Sequence, residues 1–247
     1  MSCLEIIDET TSTNSELASR ADALKHGHAL MALSQTAGRG QRGNTWEAEP
    51  GRNVTMSLLL RPAGLDVRQQ FSLSEAVALG VVDTLASYGV TALVKWPNDI
   101  YVGDKKICGI LIENSLEGTR IGRSIAGIGL NVNQHCFLSP APNPVSMWQL
   151  LGTEYEVAEV GRMLVDDILR LCDTYLGSSA GRDVLHERYM RHMWRNDGGF
   201  HPYVDVASGQ RFMAVIADVA LTGHLTLRDA DNSVRTYAFK EVQAIIG

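Results

Sequence analysis

Short apolar runs recur along the first two thirds of the chain, and most of them are too short to form a helix. Runs of this length, bounded by glycine, proline and polar residues, are typical of buried β-strands. The two runs on either side of Gly103-Asp104 predict a β-hairpin. In all, the pattern predicts strands over 30–34, 54–60, 92–96, 100–102, 107–113 and 125–132.

Helical periodicity separates these runs. Thr13-Asn14-Ser15-Glu16 matches a capping box with Thr13 as the N-cap, and the helix that follows should end near Lys25. Ser72-x-x-Glu75 matches a second capping box, in a helix that Gly89 ends. Apolar residues at helical spacing predict two later helices, at 160–175 and 183–194.

The order of these elements indicates the fold class. Strands and helices do not alternate strictly, so we expect an α+β domain with a mixed or antiparallel sheet and flanking helices, rather than a doubly wound parallel sheet. After Asp197-Gly198-Gly199 the pattern changes to short strands separated by turn residues. We therefore predict a large domain over 1–197 and a small all-β domain of about five strands over 198–247.

Composition narrows the class of protein. The 247 residues are 45% hydrophobic and carry a net charge of −6. An acidic chain is a poor general nucleic-acid binder, because such binding needs a basic face. No apolar run approaches the roughly 20 residues that cross a bilayer, and the N-terminus lacks the basic and apolar stretches of a signal peptide. We therefore expect a cytoplasmic protein without membrane contact.

Two local features bear on chemistry. The four cysteines form no CxxC pair and no zinc-spaced cluster with histidine, so no side chain is assigned to a metal. Cations, in contrast, cluster at Arg39 and Arg42 and at Lys105 and Lys106. A basic pocket in an acidic protein suggests a small anionic ligand, although solvated surface charge is the better explanation for any one of these residues alone.

The segment 38–43 reads Gly-x-Gly-x-x-Gly but lacks the context of a dinucleotide site. A dinucleotide-binding loop opens directly into a helix, whereas here Pro50-Gly51 and a predicted strand follow. A mobile loop of glycine and arginine suits a phosphate or carboxylate ligand, because the glycines let backbone N–H groups approach and guanidinium groups bind such anions in bidentate fashion. A surface hairpin with chance arginines is the alternative.

Several ordered segments together resemble the biotin protein ligase family. Their order and spacing agree over almost all of the first domain, and the all-β tail resembles the small SH3-like C-terminal domain of that family. The resemblance implies a class II synthetase-like catalytic sheet. The segments are Ser12-Thr13-Asn14, Gln35-Thr36-Ala37-Gly38-Arg39-Gly40-Gln41-Arg42-Gly43 with Trp46 beyond it, Lys95-Trp96-Pro97-Asn98-Asp99, Lys106-Ile107-Cys108-Gly109-Ile110-Leu111-Ile112-Glu113, and Gly127-Ile128-Gly129-Leu130-Asn131-Val132-Asn133.

The resemblance implies an enzyme that uses ATP and Mg²⁺ to convert biotin to biotinyl-5′-AMP and then biotinylates a lysine. Magnesium would be bound mainly through the ATP phosphates, with no certain protein ligand. The residues implied for catalysis are Lys106, Arg39 and Asp99. Those implied for biotin are Ser12, Thr13, Asn14, Gln35, Arg39, Gly40, Gln41, Lys106 and Gly109, and those for ATP are Arg39, Arg42, Trp46, Lys95, Asn98 and Asn131.

The chain departs from the family pattern in two ways. The family loop often has a second arginine where this chain has Gln41. Glutamine offers only neutral hydrogen bonds, so we expect a looser loop and a faster escape of the adenylate. Members of the family that repress transcription carry a helix-turn-helix domain, and the segment before Ser12 is too short for one, so we expect no specific DNA binding.

The implied protein partner is the biotin carboxyl carrier domain of acetyl-CoA carboxylase or a related carboxylase. The oligomeric state stays open, with a homodimer as one candidate. A lipoate or octanoate ligase or transferase of the same fold is the closest alternative function. A non-catalytic metabolite-binding module is a further alternative, and the intact Lys95, Lys106 and Arg39 argue against it.

Overall fold

The computed structural model describes residues 3–41, 45–138 and 143–246, which form two sheets and five α-helices. The seven-stranded sheet has the order β1-β2-β3-β7-β6-β5-β4. Only the β1–β2 pair is parallel, which confirms the expected mixed sheet. Its strands are β1 (Cys3–Thr10), β2 (His28–Gln35), β3 (Val54–Leu60), β4 (Leu93–Lys95), β5 (Asp99–Val102), β6 (Lys105–Glu117) and β7 (Arg120–Leu130).

The helices flank this sheet. None of those in the described residues is long and apolar enough to cross a membrane. Short 3₁₀ turns at Ala21–Ala23 and Val67–Gln69 follow α1 and precede α2. The α-helices are α1 (Thr13–Arg20), α2 (Phe71–Ser87), α3 (Met147–Leu151), α4 (Val157–Tyr175) and α5 (Ser179–Arg191).

Side-chain alternation along β3 divides the sheet into two faces. Its even-numbered residues join the large core formed with α2 and α4, whereas Leu59 joins a smaller cluster formed with Leu17 of α1. The helices α2 and α4 approach closely at Gly80, where a Cβ atom would lie 2.5 Å from Cγ1 of Ile168. One face is thus filled by long helices, while the face that carries Ser57 is covered only partly by the short α1.

The C-terminal residues form a five-stranded antiparallel sheet of order β11-β10-β9-β8-β12, and no ladder joins β11 to β12 within 143–246. It contacts the larger sheet through Trp96, whose Nε1 donates to the carbonyl of Gly223 at 3.0 Å. The five strands match the predicted number, while the domain boundary at 197/198 stays a prediction. They are β8 (His201–Asp205), β9 (Arg211–Val219), β10 (Leu225–Asp229), β11 (Val234–Tyr237) and β12 (Val242–Ala244).

The two predicted capping boxes are wrong. The N-cap of α1 is Ser12, which makes no capping hydrogen bond through its side chain. Thr13 is instead the first helical residue, and its hydroxyl contacts Gln35. The helix α2 begins at Phe71, and Glu75 is fully buried inside it, with its carboxylate against His186. In both cases a tertiary contact takes the side chain that the local pattern assigns to the helix end.

The other predicted elements form with small changes in length. The turn Gly103-Asp104 joins β5 to β6 as expected. The helix α1 ends at Arg20 and continues as a 3₁₀ turn to Ala23, slightly short of the expected end near Lys25. The sequence pattern did not predict β1, whose residues are mostly exposed or half-buried because it lies at the edge of the sheet.

Candidate active site

A cavity of about 820 Å³ lies on the face of the large sheet that carries α1. The start of α1, the end of β2, the glycine loop, the β4–β5 turn, β6, β7 and the C-terminal sheet all contribute to its lining. Arg42 is outside the described residues. All the other residues that the sequence implicates line this cavity: Ser12, Thr13, Asn14, Gln35, Arg39, Gly40, Gln41, Trp46, Lys95, Asn98, Asp99, Lys106, Gly109 and Asn131.

One end of the cavity is a buried polar network at the start of α1. Oε1 of Gln35 accepts from the backbone N–H of Thr13 at 2.8 Å and from its hydroxyl at 3.2 Å. The fully buried Ser57 hydroxyl lies 2.8 Å from the Thr13 hydroxyl and 2.5 Å from Oδ1 of Asn14. These contacts fix the side chains before any ligand binds, which suits recognition of a small neutral polar group.

The arginine of the glycine loop is held by the same region. Nη2 of Arg39 lies 3.3 Å from Oε2 of Glu113 and 3.1 Å from the hydroxyl of Ser15. Glu113 also accepts from Nδ2 of Asn14 at 2.7 Å. The Arg39–Glu113 ion pair is about half exposed on both sides, so solvent screens it and an incoming anion can compete for the guanidinium.

The indole of Trp46 lies on two glycines in the cavity floor. A Cβ atom at Gly129 would lie 2.3 Å from Cε2 of Trp46, and one at Gly109 would lie 2.9 Å from Cζ3. A larger residue at Gly129 would therefore displace the ring. The indole N–H is buried and has no hydrogen-bond partner among the described residues, and Nζ of Lys106 lies 5.7 Å from the ring centroid. The indole is thus placed to contact a ligand in the cavity.

The chemistry-bearing side chains meet on the β5–β6 hairpin. Nζ of Lys106 lies 2.6 Å from Oδ1 of Asp99, in an ion pair with side chains 29% and 17% exposed. The backbone of Lys106 donates to the carbonyl of Asn143 at 2.8 Å and accepts from Val145 at 2.9 Å. The lysine backbone is therefore fixed, while its ammonium still faces the cavity.

A second lysine lies beside this pair. Lys95, at the end of β4, places its ammonium 5.2 Å from the ring centroid of Tyr101, in a cation–π contact. Desolvation lowers the pKa of Lys95, the Asp99 carboxylate opposes this change, and the nearby Lys106 and Arg195 cations lower the pKa further. Two lysines and one carboxylate leave this end of the cavity positively charged, as binding of a polyphosphate requires.

Two asparagines predicted for the site also have structural contacts. Asn98 exchanges hydrogen bonds with Ile110 of β6, through its side chain at 2.7 Å and its backbone at 2.9 Å, and so holds the Trp-Pro turn against the strand. Asn131 donates to the carbonyl of Val145 at 3.0 Å. Its Oδ1 atom is buried, and no residue within 3–41, 45–138 or 143–246 pairs with it, which leaves an acceptor available to a ligand.

Sequence reasoning missed several contributors. Ser57 was overlooked, although a lone serine inside the apolar run Val54–Leu60 is itself a signal. Glu113 is the last residue of the motif Lys106–Glu113, and that motif does not indicate its contact with Arg39. Trp194 and the C-terminal Phe239 and Lys240 also line the cavity, and they are brought there only by the packing of the two sheets.

Within residues 3–41, 45–138 and 143–246, no group of three histidine, cysteine, aspartate or glutamate side chains could hold a metal ion. Two carboxylates, Asp99 and Glu47, line the cavity. This donor set fits Mg²⁺ that arrives with a polyphosphate, because Mg²⁺ commonly keeps most of its ligands from phosphate and water and takes one or two from the protein.

Known proteins resemble this chain both in sequence and in fold. The family model described as the biotin/lipoate A/B protein ligase family matches residues 4–131, a little over half of the chain. The bifunctional ligase/repressor BirA of Bacillus spizizenii is 40% identical over 131 residues, which are 53% of this chain and 39% of that protein. The biotin–[acetyl-CoA-carboxylase] ligase of Paracoccus denitrificans is 36% identical over 130 residues, which are 51% of this chain and 53% of that protein.

The match to these relatives therefore spans about two fifths to one half of their length. Among solved structures, the biotin protein ligase from Aquifex aeolicus in complex with biotin and ATP superposes with a TM-score of 0.81 at 21% identity. That superposition covers 100% of both chains, so the similarity in fold extends to the C-terminal sheet.

Proposed function

The chain belongs to the biotin/lipoate A/B protein ligase family, and on that premise we propose that it is an ATP-dependent biotin protein ligase. It activates biotin as biotinyl-5′-AMP and transfers the biotin to a lysine of a biotin carboxyl carrier domain. The relative from Paracoccus denitrificans is named as a biotin–[acetyl-CoA-carboxylase] ligase, which supports biotin as the acid.

The observation that carries this proposal is the Lys106–Asp99 pair inside the cavity, with Lys95 beside it and the Arg39 loop at its edge. Joining a carboxylate to a polyphosphate brings two anions together. A fixed positive charge between them stabilises the transition state, because it needs no reorganisation during the reaction. Lys106 is the lysine whose backbone is fixed on both sides, and it faces the cavity.

In the first step, a carboxylate oxygen of biotin attacks the α-phosphorus of ATP and pyrophosphate leaves. We assign Lys106 to the biotin carboxylate and the α-phosphate. We assign Arg39 to the nucleotide: it leaves its ion pair with Glu113 and binds a phosphate oxygen instead. Lys95 contacts phosphate, while Trp46, Asn98 and Asn131 contribute to the nucleotide half of the cavity, as Arg42 does in our assignment from the sequence.

In the second step, the neutral amine of the acceptor lysine attacks the acyl carbon of the mixed anhydride, AMP leaves, and the proton lost by the amine passes to solvent. Asp99 accepts a hydrogen bond from the incoming amine and so orients it, after the ligand has drawn Lys106 towards the phosphate. Asp99, one of the carboxylates that line the cavity, would hold Mg²⁺ that arrives with the polyphosphate, and the metal would supply neutralisation of phosphate charge.

Biotin recognition is assigned to the polar end of the cavity. The ureido ring of biotin presents one carbonyl acceptor and two N–H donors. Hydroxyl groups at Ser12 and Thr13 and the amide of Gln35 offer both donors and acceptors. Asn14 supports this network, and Gly40, Gln41 and Gly109, which line the same cavity, complete the assignment to biotin.

The remaining assignments are proposals of the same kind. The partner is the biotin carboxyl carrier domain of acetyl-CoA carboxylase or a related carboxylase, and the protein acts in the cytoplasm without specific DNA binding. A homodimer is one candidate assembly. Within each chain, the proposed domains are residues 1–197 and 198–247.

Transfer to a carrier tests this function. Purified protein with biotin, ATP and Mg²⁺ should increase the mass of a biotin carboxyl carrier domain by one biotinyl group. The same carrier with its acceptor lysine changed to arginine should stay unmodified. A carrier that stays unlabelled with biotin, while a lipoyl domain is labelled with lipoate or octanoate, would support the alternative ligase of the same fold.

A further inference from the structure

The hairpin that carries Asp99 and Lys106 ends in an exposed two-residue turn. Its turn consists of Gly103, with φ +58°, and the exposed Asp104, two residues before Lys106. The register shifts between Ile100 and Tyr101, so the two strands are not held by a continuous ladder. A tilt of this tip would move the ammonium of Lys106 relative to the carboxylate of Asp99.

Two side chains from outside the hairpin hold its tip. The side-chain amide of Asn143 donates to the backbone carbonyl of Asp104, and Trp194 contacts the Asp104 carboxylate. Nε1 of Trp194 donates to Oδ1 of Asp104 at 3.2 Å, and its ring lies 5.5 Å from that of Tyr101, tilted by 50°. The backbone of Trp194 is itself fixed, because its N–H donates to the carbonyl of Val94 at 2.9 Å. Trp194 is only 6% exposed, so the donor of this hydrogen bond is buried although Asp104 is exposed.

The next residue ties Trp194 to the C-terminal sheet. Arg195 has φ +64°, a left-handed conformation that is uncommon outside glycine and persists where surrounding contacts impose it. Its guanidinium lies 4.0 Å from the centroid of the Trp194 ring and donates to the carbonyl of Ile245 at 2.9 Å. Ile245 directly follows β12. A chain of contacts, here called the brace, therefore runs from the C-terminal sheet through Arg195 and Trp194 to Asp104.

We propose that Trp194 is a positioning residue for Lys106: its indole N–H, held in place by Arg195, fixes Asp104 at the hairpin tip and thereby the position of the catalytic ammonium. This inference rests on the proposed function. A displacement of about 1 Å at a catalytic group costs on the order of 100-fold in rate, so one hydrogen bond at the tip is enough to matter.

The test separates the N–H group from the ring. Trp194→Phe keeps an aromatic ring and removes the donor, and Asp104→Ala removes the acceptor. Each should lower kcat for biotin-dependent ATP–pyrophosphate exchange about tenfold, with KM for biotin within about twofold. Because both remove the same hydrogen bond, the double variant should be no worse than either single variant.

Two controls distinguish positioning from general damage. Asp104→Asn keeps an acceptor for the indole and should retain most of the rate. Ser208→Ala removes a side-chain hydrogen bond to Asp205 at a hairpin turn far from the cavity and should leave exchange unchanged. Effects of Trp194→Phe and Asp104→Ala that multiply in the double variant, a loss expressed in KM for biotin, or no loss at all would each overturn the proposal.

Chemical labelling of Lys106 needs no enzymatic turnover, so it tests the positioning role of Trp194 independently of the proposed reaction. Acetic anhydride acylates free amines, and the contact with Asp99 slows this at Lys106. Trp194→Phe should raise the labelling of Lys106 about threefold relative to Lys105, read by mass spectrometry after digestion. Unchanged labelling overturns the positioning role even where exchange is active. Wild-type protein without biotin-dependent exchange overturns the proposed function, whereas increased labelling still supports the brace.

Discussion

At the end of the cavity near α1, Ser12, Thr13 and Asn14 are 5%, 3% and 3% exposed, and hydrogen bonds with Gln35, Ser57 and Glu113 hold the side chains of Thr13 and Asn14. At the end near the β5–β6 hairpin, the side chains of Lys106 and Asp99 are 29% and 17% exposed and hold each other through an ion pair. Neutral polar groups can be buried cheaply once they are hydrogen-bonded, whereas buried charges need a partner that the reaction must later replace.

This difference suggests that the two ends of the cavity have separate roles, one in ligand binding and one in the chemical step. The rigid polar end is complementary to a ligand in its ground state, so changes there should appear in binding. The charged end becomes fully engaged only when charge develops on the phosphate, so changes there should appear in the rate of the chemical step. The following predictions test this division, in order of decreasing effect.

Lys106→Ala should have the largest effect. Loss of a preorganised cation at developing negative charge should lower the rate of biotinyl-AMP formation by about 10²–10³-fold. The Kd for biotin, measured by calorimetry, should change by no more than about threefold. Lys105→Ala is the matched control on the adjacent exposed residue and should be mild. Equal losses in both variants would mean that the wrong lysine, or the wrong role, has been assigned.

Ser57→Ala should act on the opposite end. It removes the buried hydroxyl that contacts Thr13 and Asn14, so KM for biotin should rise about tenfold while kcat changes little. Thr55→Val is the matched control, because it removes a buried hydroxyl from the same face of β3 that bonds to the carbonyl of Ala32. The division between binding and rate fails if Ser57→Ala lowers kcat instead.

Replacing His186 should test how much its contacts stabilise the attachment of the C-terminal sheet. It bridges the buried Glu75 of α2, at 2.7 Å, and Asp218 of β9, at 3.0 Å. The hydrogen bond to Glu75 and, less strongly, the contacts with Asp218 raise the pKa of His186 to about 9, against the effect of its partial burial. A raised pKa stabilises the fold fully below the unfolded value near 6.5, and this stabilisation is lost as pH rises through about 9.

The measurement is the Tm of wild type and of His186→Gln between pH 6 and pH 10. The difference between the two should be largest near pH 6 and should vanish above pH 9. The variant also removes the contact that opposes the raised pKa of Glu75, so the difference between wild type and variant reports the His186–Glu75 pair. A difference that is constant with pH would show that the bridge acts through packing rather than charge.

Gln41→Arg should have the smallest effect. An arginine at this loop position would add a charge-assisted contact to phosphate, so it should slow the release of biotinyl-AMP from preloaded enzyme. Arg42, which lies outside the described residues, is the competing candidate for retention. If Gln41→Arg leaves release unchanged and Arg42→Ala accelerates it, retention belongs to Arg42.

The local pattern of the sequence predicted most of the fold. Buried strands such as Val54–Leu60 and the turn at Gly103-Asp104 depend on hydrophobic runs and turn residues that can be recognised locally. The pattern failed where a distant partner changes the role of a side chain, as it does for Thr13 and Glu75. It also missed β1, because an exposed edge strand lacks the apolar run of a buried one.

Motif resemblance predicted which residues line the cavity, and all fourteen of the described ones do so. It could not predict how these residues are held. The contacts of Ser57 with Thr13, of Glu113 with Arg39 and of Trp194 with Asp104 join segments far apart in the chain, and no spacing rule encodes them. The roles of the lining residues stay predictions until the variants are measured.

The central claim is that this cavity joins biotin to AMP, and ATP–pyrophosphate exchange tests it most directly. Purified protein with Mg²⁺, ATP and labelled pyrophosphate should form labelled ATP only when biotin is present, and Lys106→Ala should abolish nearly all of that signal. Exchange that depends on lipoate or octanoate but not on biotin, or no acid-dependent exchange at all, would contradict the account.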